Sequence, residues 1–355
     1  MMNTIFKKLV LFYVAIALVG APIELMAASK KSHKRVSTSH KNVSNYKKKV
    51  SVKLRRTHAV HTPAVVEDHF DGSGILQLAS SKALIVNQNT GEVIYAKNTG
   101  LITPIASITK LMTAMVMLDA SQPFDEILYV SDDDVDYVKS TSSRLAVGAG
   151  LSRGDMLQLA LMASENRAAS AIGSNYPGGK YAFVKAMNAK AKQLGLTHTR
   201  FVDATGLDSD NVSTAEDLAK MVQAAYQYPD IRLATTSPSH EVYVEGRNSA
   251  VNFNNTNGLV RGGEWQIGLS KTGFINEAGR CLVMQATIAG EQMIVVLLDS
   301  AGKLTRIGDA NRVRKWLEYN TTTPSEPKTT TTGQLKLQEK LTAKPQLTTM
   351  SGRIS

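Results

Sequence analysis

Seven histidines and one cysteine occur in the 355 residues, and their placement narrows the chemistry at once. His33, His40, His58, His61 and His69 lie in or beside a basic N-terminal stretch, leaving His198 and His240 for residues 70–319. Neither has a second His or Cys at ligand spacing, which argues against a zinc hydrolase; no metal is expected. The lone Cys281 allows no intramolecular disulfide and no Cys-rich metal site. No Gly-x-Ser-x-Gly elbow seats a histidine triad, and no glycine-rich phosphate loop points to a nucleotide, so no cofactor is expected. A hydroxyl nucleophile here must be activated by something other than histidine, and lysine is the available base. Ser107-Ile108-Thr109-Lys110 sets a hydroxyl and an amine three residues apart at the start of an apolar helical run. On a helix these positions share a face, so the amine reaches the hydroxyl. Desolvation, or a second cation nearby, would lower the lysine pKa and make it a base. The helix N-terminus supplies N–H donors for a developing oxyanion. Taken alone the tetrad is common, and a helix cap with a surface lysine is its ordinary meaning. Two further three-residue clusters stand with it: Ser164-Glu165-Asn166, otherwise a polar helix terminus, and Lys271-Thr272-Gly273, otherwise a strand-end turn.

The elements that must carry these residues follow from periodicity. Ala83–Val86 and Val93–Tyr95 flank Asn89-Thr90-Gly91, a β-hairpin pattern. Ser107–Leu118, preceded by Pro104, predicts one buried helix. Ser152 caps a second helix with Leu157 and Leu161 at helical spacing, and Tyr181–Leu194 forms a third, ended by Gly195. Ser213-Thr214-Ala215-Glu216 reads as a capping box opening a fourth through Tyr226. Late strands are expected at Glu241–Glu245, Trp265–Lys271, Cys281–Ile288 and Gln292–Leu298, before a closing helix Asp309–Tyr319. His198 is expected in a turn or at a strand entry, and His240, beside Pro238, in a loop. Strands, then helices, then strands predict an α+β fold: one antiparallel sheet with helices on both faces and an inserted helical block.

The ends differ from this middle. Lys7 and Lys8 precede the apolar run Leu9–Ala21, too short to span a bilayer comfortably, and small residues follow to Ala28. Residues 1–28 read as a signal peptide cleaved after Ala27 or Ala28, with an uncleaved anchor as the alternative; export to the periplasm is expected. No Cys follows the run, which excludes a lipoprotein. The net charge of +11 looks like that of a nucleic-acid protein. Residues 29–60, however, hold 11 Lys/Arg and no Asp/Glu, and beyond the first 60 residues 28 basic face 29 acidic residues. The basicity is one arm (residues 29–69), expected to be disordered and drawn to an anionic membrane or wall surface, not to nucleic acid. Residues 70–319 form the expected catalytic domain, and 320–355 a disordered Thr-rich tail.

Together, in the order Ser-x-x-Lys, Ser-x-Asn, Lys-Thr-Gly, the three motifs are the set of class A β-lactamases and penicillin-binding proteins. Ala106–Ala114, Ser164–Ser170, Leu269–Cys281, Thr205-Gly206-Leu207-Asp208 and Asn254–Leu259 resemble the low-molecular-mass penicillin-binding proteins of the D-alanyl-D-alanine endopeptidase (penicillin-binding protein seven) type. The resemblance runs over about residues 75–317 and implies a DD-peptidase/β-lactamase-like fold. It implies acyl transfer through a serine ester: Ser107 as nucleophile, Lys110 as base and Ser164 as proton relay. It also implies Asn166, Lys271, Thr272, Gly273 and Phe274 as substrate-binding residues, with the backbone N–H groups of Ser107 and Phe274 forming the oxyanion hole. Peptidoglycan peptide stems would be the substrate and β-lactams covalent inhibitors. A D-Ala-D-Ala carboxypeptidase is the alternative. A class A β-lactamase is disfavoured, because no Glu-x-x-x-Asn loop lies between Asn166 and Lys271. A non-catalytic binding module would require a broken motif, and none is broken.

Overall fold

The computed structural model describes residues 75–137, 139–245 and 247–322. The stretches expected to be a signal peptide and a basic arm, and most of the expected Thr-rich tail, lie outside them. In chain order the elements are β1 (Lys82–Asn87), β2 (Val93–Lys97), β3 (Thr103–Pro104), a 3₁₀ turn (Ala106–Thr109), α1 (Lys110–Asp119), β4 (Ile127–Tyr129), β5 (Gly150–Ser152), α2 (Arg153–Met162), α3 (Asn166–Ser174) and α4 (Gly179–Gln193). There follow β6 (Val212–Ser213), α5 (Ala215–Ala225), α6 (Pro229–Thr236), β7 (Ser239–Val242), β8 (Val251–Asn254), α7 (Gly258–Gly262), β9 (Gln266–Ile275), β10 (Gly279–Ile288), β11 (Glu291–Ser300) and α8 (Thr305–Thr322).

Five strands form one antiparallel sheet in the order β2-β1-β11-β10-β9. Early and late strands therefore share a sheet, with the helical block inserted between them, as expected. The period of two sorts the side chains of the central strands between two cores. Leu84, Val86, Ile294 and Val296 face the helical block with α1, α2 and α5. Ala83, Ile85, Val295 and Leu297 face Ala310, Val313 and Trp316 of α8. Both faces of the sheet are covered, which is why β1 and β11 read as nearly unbroken apolar runs. Ala289 and Gly290, both at positive φ (52° and 82°), make the two-residue turn between β10 and β11.

Several expectations need correction. The stretch Ser107–Leu118 is not one α-helix: Ser107 sits in the 3₁₀ turn, and the α-helix begins at Lys110. Ala106, at φ 47°, turns the chain tightly there. Glu241–Glu245 does not join the main sheet; β7 pairs with β8 in a separate two-stranded ribbon, and alternation alone cannot say which sheet a short strand enters. His240 consequently lies in β7, not in a loop, with Nε2 3.0 Å from Asp155 Oδ1. Lys271-Thr272-Gly273 is not a strand end, because β9 continues to Ile275 and Gly273 pairs with Cys281. The cap of α5 is Thr214, whose hydroxyl accepts from Asp217 N at 3.2 Å, while Ser213 belongs to β6. α3, α6 and α7 were not foreseen, and α8 runs past the expected end at Tyr319.

Candidate active site

Three elements meet at the site: the 3₁₀ turn leading into α1, the α2–α3 junction, and β9. In a 3₁₀ turn residues i and i+3 eclipse, which sets Lys110 directly over Ser107. Lys110 is fully buried. Its Nζ lies 2.9 Å from Ser107 Oγ, 2.7 Å from Asn166 Oδ1 and 2.7 Å from the Thr205 carbonyl. The amide and carbonyl oxygens can only accept, so two N–H bonds of Lys110 are committed to them. The third position faces Ser107 and works either way: an ammonium donates to Oγ, and a neutral amine accepts the hydroxyl proton. Burial pushes Lys110 down to about 7, against the opposing pull of the Asp203 and Glu165 carboxylates. Both forms are thus populated near neutrality.

The Thr205 carbonyl is held by a loop built around Asp203. Its Oδ1 accepts from the N–H of Thr205 and of Gly206 and from the Thr205 hydroxyl, and its Oδ2 accepts from Asp208 N at 2.9 Å. Gly206 is at φ 80°, and a Cβ there would stand 2.0 Å from the Ala106 carbonyl oxygen. Only glycine lets this loop press on the nucleophile turn.

At the α2–α3 junction Ser164 takes a left-handed conformation (φ 59°), and Glu165 N returns to the Leu159 carbonyl at 3.1 Å. This turn presents the Ser164 hydroxyl, which accepts from Lys271 Nζ at 2.8 Å. It also starts α3 at Asn166, whose Nδ2 donates to Thr141 Oγ1 at 3.1 Å. Lys271 is buried, and its pKa is lowered well below the lysine range by burial, then by Lys110 and Arg306. The Thr272 hydroxyl bonds Thr256 Oγ1 at 2.6 Å, and Thr256 N bonds the Met162 carbonyl at 3.0 Å. At Gly273 a Cβ would lie 3.0 Å from the Ile105 carbonyl oxygen and 3.1 Å from Ser107 N. The missing side chain lets β9 pass against the turn that carries the nucleophile. Phe274 follows, half exposed.

The structure therefore gathers Ser107, Lys110, Ser164, Asn166, Lys271, Thr272 and Gly273 into one cluster, with Phe274 next along β9. Sequence reasoning missed Thr141 and Arg306, and it gave Asp203 no part. Arg306, in the first turn of α8, has Nε and Nη1 buried without hydrogen-bond partners. No motif marks any of the three; only the fold brings them to the site. A cavity of about 450 Å³ adjoins Asn166 and Thr205 and is lined also by Asp133, Asp136, Tyr137 and Asp208. Lys139, on its rim, forms an ion pair with Glu277 in the β9–β10 turn, joining the segment before β5 to the sheet.

A serine whose basic partner is a buried lysine, with a second serine–lysine pair beside it, is the arrangement of the serine DD-peptidases and their β-lactamase kin. The chain belongs to the D-alanyl-D-alanine carboxypeptidase family, peptidase S11, whose family model matches residues 68–302. It is 52% identical over 242 residues to a D-alanyl-D-alanine endopeptidase of Pseudomonas aeruginosa, covering 68% of this chain and 78% of that one. It is 48% identical over 248 residues to the D-alanyl-D-alanine endopeptidase of Escherichia coli K12, covering 70% and 80%. Among solved structures, the Streptomyces K15 DD-transpeptidase superposes with TM-score 0.63 at 27% identity, over 68% of this chain and 97% of that one. Penicillin-binding protein D2 of Listeria monocytogenes, in its ampicillin-bound form, gives TM-score 0.58 at 31% identity, over 68% and 98%. The α+β architecture is thus that of the DD-peptidases, and the chain is a serine DD-peptidase.

Proposed function

We propose that the chain is a penicillin-sensitive DD-endopeptidase that cuts D-alanyl crosslinks of peptidoglycan through an ester on Ser107. The observation that carries the mechanism is the position of Lys110: buried, depressed to about 7, and bonded to Ser107, Asn166 and the Thr205 carbonyl. Neutral Lys110 takes the Ser107 proton as Oγ attacks the D-alanyl carbonyl. The backbone N–H groups of Ser107 and Phe274 receive the developing oxyanion. Losing one such donor in other enzymes costs about 3 kcal/mol of barrier. Ser164 passes a proton between the Lys110–Lys271 pair and the departing amine. Asn166 holds Lys110 and a substrate amide. Lys271 and Arg306 supply positive potential, and the Thr272 hydroxyl and the Gly273 backbone line the substrate strand. Water then attacks the ester and releases the acyl group. A β-lactam acylates Ser107 by the same steps and stays.

The endopeptidase reading is supported by the two relatives near 50% identity, which carry that name. The carboxypeptidase reading draws on the family description and on relatives such as one from Bacillus subtilis at 31%. Digestion of purified muropeptides decides between them. Crosslinked dimers converted to monomers mean endopeptidase, and pentapeptides converted to tetrapeptides mean carboxypeptidase. The setting follows from the ends of the chain: export to the periplasm by a cleaved signal peptide, and a polybasic arm attracted to anionic membrane or wall polymer.

A further inference from the structure

Past the oxyanion position, β9 and β10 place an unused cation. Arg280 lies directly opposite Phe274 in the ladder, and its guanidinium carbon sits 4.4 Å from the centroid of the Phe274 ring. The ring holds the cation by its π face and uses none of its N–H donors. Among the described residues the Arg280 side chain has no hydrogen bond and no ion pair. The acids nearby in sequence and fold are engaged elsewhere: Glu277 with Lys139, and Asp299 with Lys82. Arg306 lies close enough that burial, and then Arg280, lower its pKa, and Arg306 in turn bears on Lys271. Two guanidiniums, Arg280 and Arg306, are thus neighbours, and neither has an acidic partner among the described residues. That arrangement is costly in a partly buried site unless an anion joins them.

The direction of the substrate says which anion. On the reading proposed above, the leaving amine departs on the side of Ser164, Lys271 and Thr272. Phe274 and Arg280 lie beyond the attacked carbonyl, on the side of the acyl portion. We propose that Arg280, held on the Phe274 ring, is a specificity-determining residue that receives a carboxylate on the side chain of the residue preceding the attacked D-alanine. A diamino acid whose side chain ends in an amine beside a carboxylate fits this site. One that ends in the amine alone leaves Arg280 unpaired.

The test uses the purified full chain and two stem peptides that differ at that residue: lysine, or diaminopimelate, which is lysine with one further carboxylate on its end carbon. The wild type is expected to favour the diaminopimelate peptide in kcat/KM by about tenfold or more, the scale of one charge-assisted hydrogen bond. In Arg280→Gln the ratio should fall to near one, and Arg280→Lys should restore part of it. A wild-type ratio near one, or an unmoved ratio in Arg280→Gln, overturns the inference. Benzylpenicillin adduct formation, read by intact mass on the wild type, separates the two readings. No adduct sinks the Ser107 mechanism, whereas a normal adduct with an unmoved ratio sinks only the role of Arg280. Should Arg280→Gln fail to fold, Phe274→Leu keeps the backbone N–H, removes the ring under the guanidinium, and should lower the same ratio.

Discussion

If Lys110 is the base, the pH profile of acylation must titrate with it. Burial takes this amine from 10.5 to about 7, a difference of about 5 kcal/mol between its protonation states at roughly 1.4 kcal/mol per unit. At pH 7 about half of it is neutral; an ordinary lysine would be neutral in about one molecule in 3,000 at that pH. The depression therefore supplies on the order of a thousandfold more base. The sign is fixed: the active form is deprotonated, so acylation rises with pH and levels above the pKa. Between pH 5 and pH 7 the neutral fraction climbs from about 1% to about half, roughly a fiftyfold gain. The assay is stopped-flow acylation by a fluorescent penicillin, under conditions that read the second-order rate, from pH 5 to pH 9. Glu165→Gln gives an internal control. The Glu165 carboxylate raises the Lys110 pKa, so its neutralisation should move the midpoint to lower pH without abolishing the adduct. A rate flat from pH 5 to pH 9, or a midpoint above pH 9, would refute the lysine-base reasoning.

Other outcomes follow from the same geometry. Ser107→Ala should abolish both the penicillin adduct and peptidoglycan cleavage while the thermal midpoint stays close to wild type; an intact-mass adduct on the variant would move the nucleophile elsewhere. Gly206→Ala places a Cβ 2.0 Å from the Ala106 carbonyl at φ 80°. It should cost more than about 3 kcal/mol in urea unfolding, and a loss under about 1 kcal/mol would mean the loop does not press on the turn. Deleting residues 29–60, which hold +11 and no acid, should leave turnover of small muropeptides unchanged. The same deletion should weaken sedimentation with sacculi at low salt, a difference that shrinks near 0.5 M salt as screening shortens. Equal sedimentation of both forms at low salt would make the arm a passive linker.

Residue type and spacing in the chain pointed to Ser107 and Lys110 as a hydroxyl–amine pair, because residues 70–319 hold only His198 and His240 and neither has a partner at ligand spacing. Ser164, Asn166, Lys271 and Thr272 entered through the resemblance of the combined motifs to the penicillin-binding proteins. Apolar periodicity was enough to order strands, helical block and strands, because burial on a sheet or a helix face repeats every two or about 3.6 residues. Local pattern could not reveal what distant segments do to one another. Ser107 lies in a 3₁₀ turn packed against a loop about 100 positions later, where a Cβ on Gly206 would meet the Ala106 carbonyl, a contact no local pattern announces. Lys271-Thr272-Gly273 sits inside a strand because β10 pairs with it to Ile275. Asp203, Thr141 and Arg306 reach the site through loops and a helix start that carry no signature. The depressed pKa of Lys110 was foreseen in direction, since an apolar helix and a second lysine both favour the neutral amine. Its first cause, complete burial, exists only once α1, α3 and the Asp203 loop have closed around it, because desolvation is a property of the packed surroundings and not of any one segment.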